Sequence, residues 1–156
     1  MDTADLAVQT TGLTKSYAGS VVVDGLDLDV PRHSVFGFLG PNGAGKTTTM
    51  KMLLGLIRPT SGSGSIFGLD IAADSAEVRR RIGYLPQEPK FYPHLTARET
   101  LRFAAGFFFS GPAARIEARI EEMLDLVGLA DKADRPVKTL SGGEMQRLGI
   151  AQAQIH

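Results

Sequence analysis

The chain has 156 residues, 17 basic against 17 acidic side chains, and no cysteine. That length holds one domain with a real core. The charge balance speaks against a polyanion recognised by bulk charge, so no nucleic acid is expected as a partner. Without cysteine there are no disulfides and no thiolate metal site, which fits a cytosolic address. The opening Met1-Asp2-Thr3-Ala4-Asp5 lacks the basic-then-apolar pattern of a signal peptide. The longest apolar run, Phe103–Phe109, is too short to cross a bilayer, so any work at a membrane would be done by docking on another protein.

Residues 6–30 read as antiparallel β-structure. Leu26, Leu28 and Val30 alternate with Asp27 and Asp29, as in a half-buried strand whose aspartates face water. Val21-Val22-Val23 reads as its neighbour, with Asp24-Gly25 as the hairpin turn between them. Tyr17 lies just upstream. An aromatic near a nucleotide loop can stack on a base, but on its own a tyrosine on a strand reads as packing.

Gly40-Pro41-Asn42-Gly43-Ala44-Gly45-Lys46-Thr47 fits G-x-x-x-x-G-K-[ST], the phosphate-binding loop. Its context agrees. Val35, Phe36, Phe38 and Leu39 predict a strand buried on both faces before it. Met50, Leu53, Leu54 and Ile57 predict an amphipathic helix from about Lys46 after it. Glycines let successive amides turn inward, the helix start adds the positive end of its dipole, and Lys46 adds a full charge. The Thr47 hydroxyl can ligate Mg²⁺. A plain glycine-rich turn is the weaker alternative, because letters and context agree.

Arg58–Gly64 then reads as a loop, Ser65-Ile66-Phe67 as a short strand and Gly68-Leu69-Asp70 as a turn. Val78–Arg81 falls in a basic helix. Ile82–Leu85 predicts another buried strand, stopped by Pro86, with Gln87 at its carboxyl end, where ligands sit in open α/β sheets. An isolated Gln there is otherwise a solvated side chain. Thr96–Phe109 predicts a helix, opened by a Thr96/Glu99 capping box. Phe107-Phe108-Phe109 is either core or a partner-binding patch. Ile116, Ile120, Met123, Leu124 and Val127 define a second amphipathic helix, with Gly128 as its cap. In Leu140-Ser141-Gly142-Gly143-Glu144-Met145-Gln146-Arg147, Ser141 and Glu144 form another capping box. Met145, Leu148, Ala151 and Ile155 line one face of the helix that begins there. Two glycines in its first turn weaken it, each by up to roughly 1 kcal/mol, and leave its amides bare. That suits a second anion site, although an ordinary capped helix has the same signature.

The order and spacing of GPNGAGKTTT, GYLPQ and LSGGEMQR resemble an ATP-binding cassette (ABC) domain over nearly the whole chain. The last motif is the most specific of the three. The resemblance implies an α/β fold, an ABC-type P-loop ATPase core with an N-terminal antiparallel β-layer and a helical subdomain, its C-terminal part missing. The implied division is residues 1–95 for β-layer and core, 96–139 for the helical subdomain and 140–156 for the signature helix. It places Tyr17 on the adenine of ATP. It places Gly40, Pro41, Asn42, Gly43, Ala44, Gly45, Lys46, Thr47 and Thr48 around phosphates and Mg²⁺. Gln87, with Lys46 one of the two catalytic candidates, would reach the metal and the attacking water. Ser141, Gly142 and Gly143 would contact the γ-phosphate held by an opposite subunit.

The implied partners are a second nucleotide-binding subunit and transmembrane permease subunits, at the cytoplasmic face of the membrane. The run from Val35 to Arg58 looks most like exporter-type subunits. Glu144 stands where the family most often has Gln. No Asp or Glu follows Glu144. The family's Walker B aspartate, catalytic glutamate and switch histidine are therefore expected beyond His156, and residues 1–156 alone are expected not to hydrolyse ATP. A soluble ABC ATPase acting as a mechanical switch in translation or DNA repair is the alternative reading. A fragment that binds nucleotide weakly or not at all is another. A P-loop kinase or GTPase is disfavoured by LSGG.

Overall fold

Residues 5–156 are described by a computed structural model. Strand β1 (Leu6–Tyr17) and strand β2 (Ser20–Pro31) form a long antiparallel hairpin. Its turn is Ala18-Gly19, both at positive φ. The turn therefore lies elsewhere than Asp24-Gly25, where the sequence predicts it. Asp24-Gly25 instead forms a bulge inside β2, opposite Thr14, and the Gly25 amide donates to the Thr14 hydroxyl at 2.9 Å. A second bulge, at Thr11-Gly12, is closed by the Asp27 carboxylate, which accepts from the Gly12 amide at 2.6 Å. Asp27 is thus a ladder-closing residue as well as a polar face. Bulges keep both strands paired while bending them.

Helix α1 (Lys46–Leu53) follows, then β3 (Ser61–Ile66), β4 (Leu69–Asp70) and α2 (Ser75–Arg81). The sheet order is β2-β1-β3-β4, antiparallel throughout. Much of the predicted Arg58–Gly64 loop is therefore strand. Ser61–Gly64 pairs with β1, and Gly62 lies so close to the Gly12 backbone that no side chain fits there. Phe67-Gly68 makes the tight turn into β4. Helix α1 buries Thr49, Met52 and Leu53 and is capped at Leu54, so Ile57 lies outside it.

Neither of the two predicted buried strands is formed. Val35–Leu39 has no regular structure and joins no ladder among the described residues, and Val35 and Leu39 are 104% and 91% exposed. Ile82–Leu85 is likewise irregular and unpaired. Apolar composition says that a segment gains from burial; only a neighbouring strand makes it a strand.

The chain divides into two compact units, residues 1–81 and 82–156. The second is helical: α3 (Ala97–Ala105), α4 (Ala113–Leu126) and α5 (Gly142–Ala153), with 3₁₀ turns at Ala130–Lys132 and Val137–Thr139. The Thr96/Glu99 capping box is present in both directions. Helix α3 stops at Ala105, short of the predicted Phe109. In α4 the predicted apolar face is buried at Ile120, Met123 and Leu124, and Gly128 follows at positive φ. Leu101, Ile120, Leu124, Leu129, Leu148 and Ile155 are fully enclosed in one core. On its surface Arg102 grips Glu117 with both ends of its guanidinium, and Arg98 bridges Glu121 and Asp134. No helix among the described residues is long and apolar enough to cross a membrane.

Candidate functional site

The first unit carries the phosphate loop. Gly43 and Gly45 both sit at positive φ, which brings the chain round into the start of α1. Gly45 has a second constraint. A Cβ there would meet the Val22 carbonyl at 2.5 Å and a Val23 methyl at 2.9 Å. Only glycine allows the loop to lie on β2 in this way. Lys46 folds back over the loop, its ammonium donating to the carbonyls of Gly40 at 2.6 Å and Pro41 at 2.8 Å. Its charge is thereby held by the loop's own backbone. Thr47 is exposed and Thr48 half-buried, both on the first turn, whose amides have no intrahelical acceptor. Asn42 and Ala44 are exposed.

These features fit a triphosphate: a cationic head, a curled backbone and a helix start converge on one loop. They also fit a metal held mostly by phosphate oxygens and water. Thr47 offers one hydroxyl, and no group of three or more His, Cys, Asp or Glu among the described residues could hold a metal by itself.

Tyr17 closes β1 on the hairpin against which the loop packs. It pairs with Ser20, two residues before Val22. The ring is 48% exposed, so it is not core. The Lys15 ammonium lies 4.9 Å from its centroid and also donates to the Arg58 carbonyl at 2.8 Å.

The second unit carries Gln87 and the signature. Ser141 caps α5 in a complete capping box. Its hydroxyl accepts from the Glu144 amide at 3.3 Å, and the Glu144 carboxylate accepts from the Ser141 amide at 2.7 Å. Glu144 also takes a hydrogen bond from the Lys132 ammonium at 2.6 Å. That bond first, and those to Ser141 next, lower its pKa to about 2. A Cβ at Gly142 or Gly143 would meet nothing within 4 Å, so this first turn faces open space.

Gln87 is exposed, and its backbone carbonyl accepts from the Gln146 side chain at 3.0 Å. The segment bearing Gln87 lies flat on α5 because two glycines permit it. A Cβ at Gly149 would strike Leu85 at 2.5 Å, and one at Gly83 would strike the Ala153 carbonyl. The structure thus brings Gln87 onto the helix that presents Ser141, Gly142 and Gly143. It likewise gathers Gly40–Thr48 and the Tyr17 hairpin in the other unit. The sequence reading missed Lys132 and Gln146. Lys132 is separated from Glu144 by irregular chain, with no periodic signal. Gln146 pairs with a backbone carbonyl, which no motif encodes.

Residues 23–156 match the ABC transporter family model. The chain is 45% identical over 149 residues to the bacitracin transport ATP-binding protein BcrA of Bacillus licheniformis, covering 96% of this chain and 47% of that protein. It is 46% identical to the daunorubicin/doxorubicin resistance ATP-binding protein DrrA of Streptomyces peucetius, covering 96% and 45%. It is 43% identical to a Nod factor export ATP-binding protein I of Ralstonia nicotianae, covering 93% and 45%. The chain therefore spans about half the length of the curated relatives it matches. Among solved structures, an ATP-binding subunit of an ABC transporter superposes with a TM-score of 0.83 at 30% identity, over 96% of this chain and 62% of that one. The cbiO1 protein of Clostridium perfringens, part of the ABC transporter complex cbiONQ, superposes with a TM-score of 0.86 over 97% and 62%. At 24% identity it supports the fold alone.

Proposed function

Because the chain belongs to the ABC transporter family, we propose that it forms the nucleotide-binding part of a transport ATPase subunit. In this reading Gly40–Thr48 hold the phosphates of ATP, and Tyr17 stacks on its adenine. Ser141, Gly142 and Gly143 face the γ-phosphate held by a second, head-to-tail subunit. What carries the reading is that one chain holds both a phosphate loop with its lysine and a capped, open glycine helix start.

Each residue has a part set by its chemistry. The loop amides and the start of α1 stabilise negative charge without reorganising. Lys46 exchanges two carbonyl partners for phosphate oxygens. Thr47 would offer a ligand to Mg²⁺, and the Gln87 amide would reach the metal ion and the attacking water. Mg-ATP supplies the phosphoryl group whose transfer to water drives the cycle, and catalysis of such transfer is almost entirely positioning and electrostatics.

The helical unit offers a docking face for a membrane subunit. Tyr92, Phe103 and Phe107 form an exposed aromatic row, with ring centroids 5.7 and 5.2 Å apart. Phe109 is partly buried against the core, so the phenylalanine run divides between the two roles left open by the sequence. Docking there puts the protein at the cytoplasmic face of a membrane. The names of the relatives favour export as the direction.

Titration with labelled ATP tests the nucleotide site. A hydrogen bond to a charged group contributes about 1.5–3 kcal/mol, so Lys46→Ala should weaken binding about tenfold to hundredfold. Equal affinity in wild type and variant would overturn the assignment.

A further inference from the structure

Glu144 puts a carboxylate in the first turn of α5, three residues from Ser141 and two from Gly142. If a triphosphate of a second subunit docks there, an unmatched carboxylate would repel it. The structure supplies the match. Lys132 reaches Glu144 Oε1 at 2.6 Å while Glu144 Oε2 takes the Ser141 amide at 2.7 Å, so one carboxylate joins the cation to the cap. Both side chains are mostly shielded, at 29% and 13% exposure.

The turn that carries Lys132 is anchored to the helical core. Its 3₁₀ turn is flanked by buried Leu129 and Ala133, and the Ala133 carbonyl accepts from the Arg98 amide at 2.9 Å. The Arg98 side chain then grips Asp134 at 2.9 Å. The cation is therefore presented by fixed backbone, unlike a solvated surface lysine.

We propose that Lys132 is a positioning residue of the signature: it fixes Glu144 across the first turn of α5 and cancels its charge where the second subunit's triphosphate docks. This rests on the function proposed above. It also explains how Glu is tolerated where the family most often has Gln.

The test measures ATP-driven association of the intact native protein under non-hydrolysing conditions, by sedimentation. Lys132→Met, of similar length and no charge, should weaken association about three- to tenfold, the range for one charge at a partly shielded helix start. Lys132→Arg should stay near wild type. Adding Glu144→Gln to Lys132→Met should restore association, since Gln still accepts from the Ser141 amide and carries no charge. A merely structural loss at Lys132 would persist in that double variant. If wild type associates with ATP but Lys132→Met does so equally well, or the double variant is not restored, the role of Lys132 is overturned and the functional reading stands. If wild type ignores ATP, the functional reading fails and this role with it.

Discussion

At the scale of single residues, the site depends on atoms a side chain would displace and on charges held by backbone. Gly45 touches Val22 so closely that the loop could not lie there with any other residue. Lys46 is positioned by two carbonyls of its own loop. Tyr17 is half-exposed at the end of the same hairpin, which leaves its ring available to a base. If the ring and not the hydroxyl makes that contact, Tyr17→Ala should weaken ATP clearly while Tyr17→Phe stays near wild type. ATP titration of the two variants decides it, and a Phe variant as weak as the Ala variant would rule stacking out.

At the scale of elements, three carboxylates act on helix ends and helix pairing. Glu99 has its pKa lowered chiefly by the Thr96 amide, Glu117 by the Arg102 guanidinium, and Glu144 by Lys132, to about 2 against an ordinary 4.5. A depressed carboxylate stabilises the fold above its unfolded pKa, and that contribution fades as pH falls through the folded value. The helical unit should therefore lose stability between about pH 5 and about pH 2, and Glu144→Gln should flatten part of that slope. Thermal unfolding followed across this range checks it; identical slopes in wild type and variant would contradict the Lys132–Glu144–Ser141 linkage.

Local signals were readable in the sequence wherever the physics is local. Both capping boxes need only four adjacent residues, and both are present. The α4 face needs only helical spacing. The hairpin turn was different: Asp24-Gly25 and Ala18-Gly19 both suit a turn, and only the register of β1 on β2, closing at Tyr17 and Ser20, distinguishes them. Val35–Leu39 was legible as apolar but not as unpaired. Its exposed Val35 and Leu39 leave apolar surface uncovered, which invites association. A polypeptide of residues 1–156 should self-associate, and Val35→Ser with Leu39→Ser should reduce this in light scattering. No reduction would place the sticky surface elsewhere.

At the scale of the whole molecule, the proposed function divides between the two units. Residues 1–81 carry the phosphate loop and Tyr17; residues 82–156 carry Gln87 and the signature. The loop motif was legible because phosphate binding demands glycines and a lysine at fixed spacing. The charge partner of Glu144 was not, because it arrives through irregular chain. A head-to-tail pair would join the loop of one copy to the signature of the other. Lys46→Ala breaks the loop and spares the signature. Gly143→Asp breaks the signature, where an added Cβ meets nothing within 4 Å and a carboxylate would face a phosphate. The most direct measurement mixes these two variants of the intact protein and follows ATP-driven association by sedimentation. Each variant alone should fail to associate. The mixture should recover, because the mixed pair regains one composite site from the Gly143→Asp copy's loop and the Lys46→Ala copy's signature. No recovery in the mixture, or association of either variant alone at the level of wild type, would contradict the account.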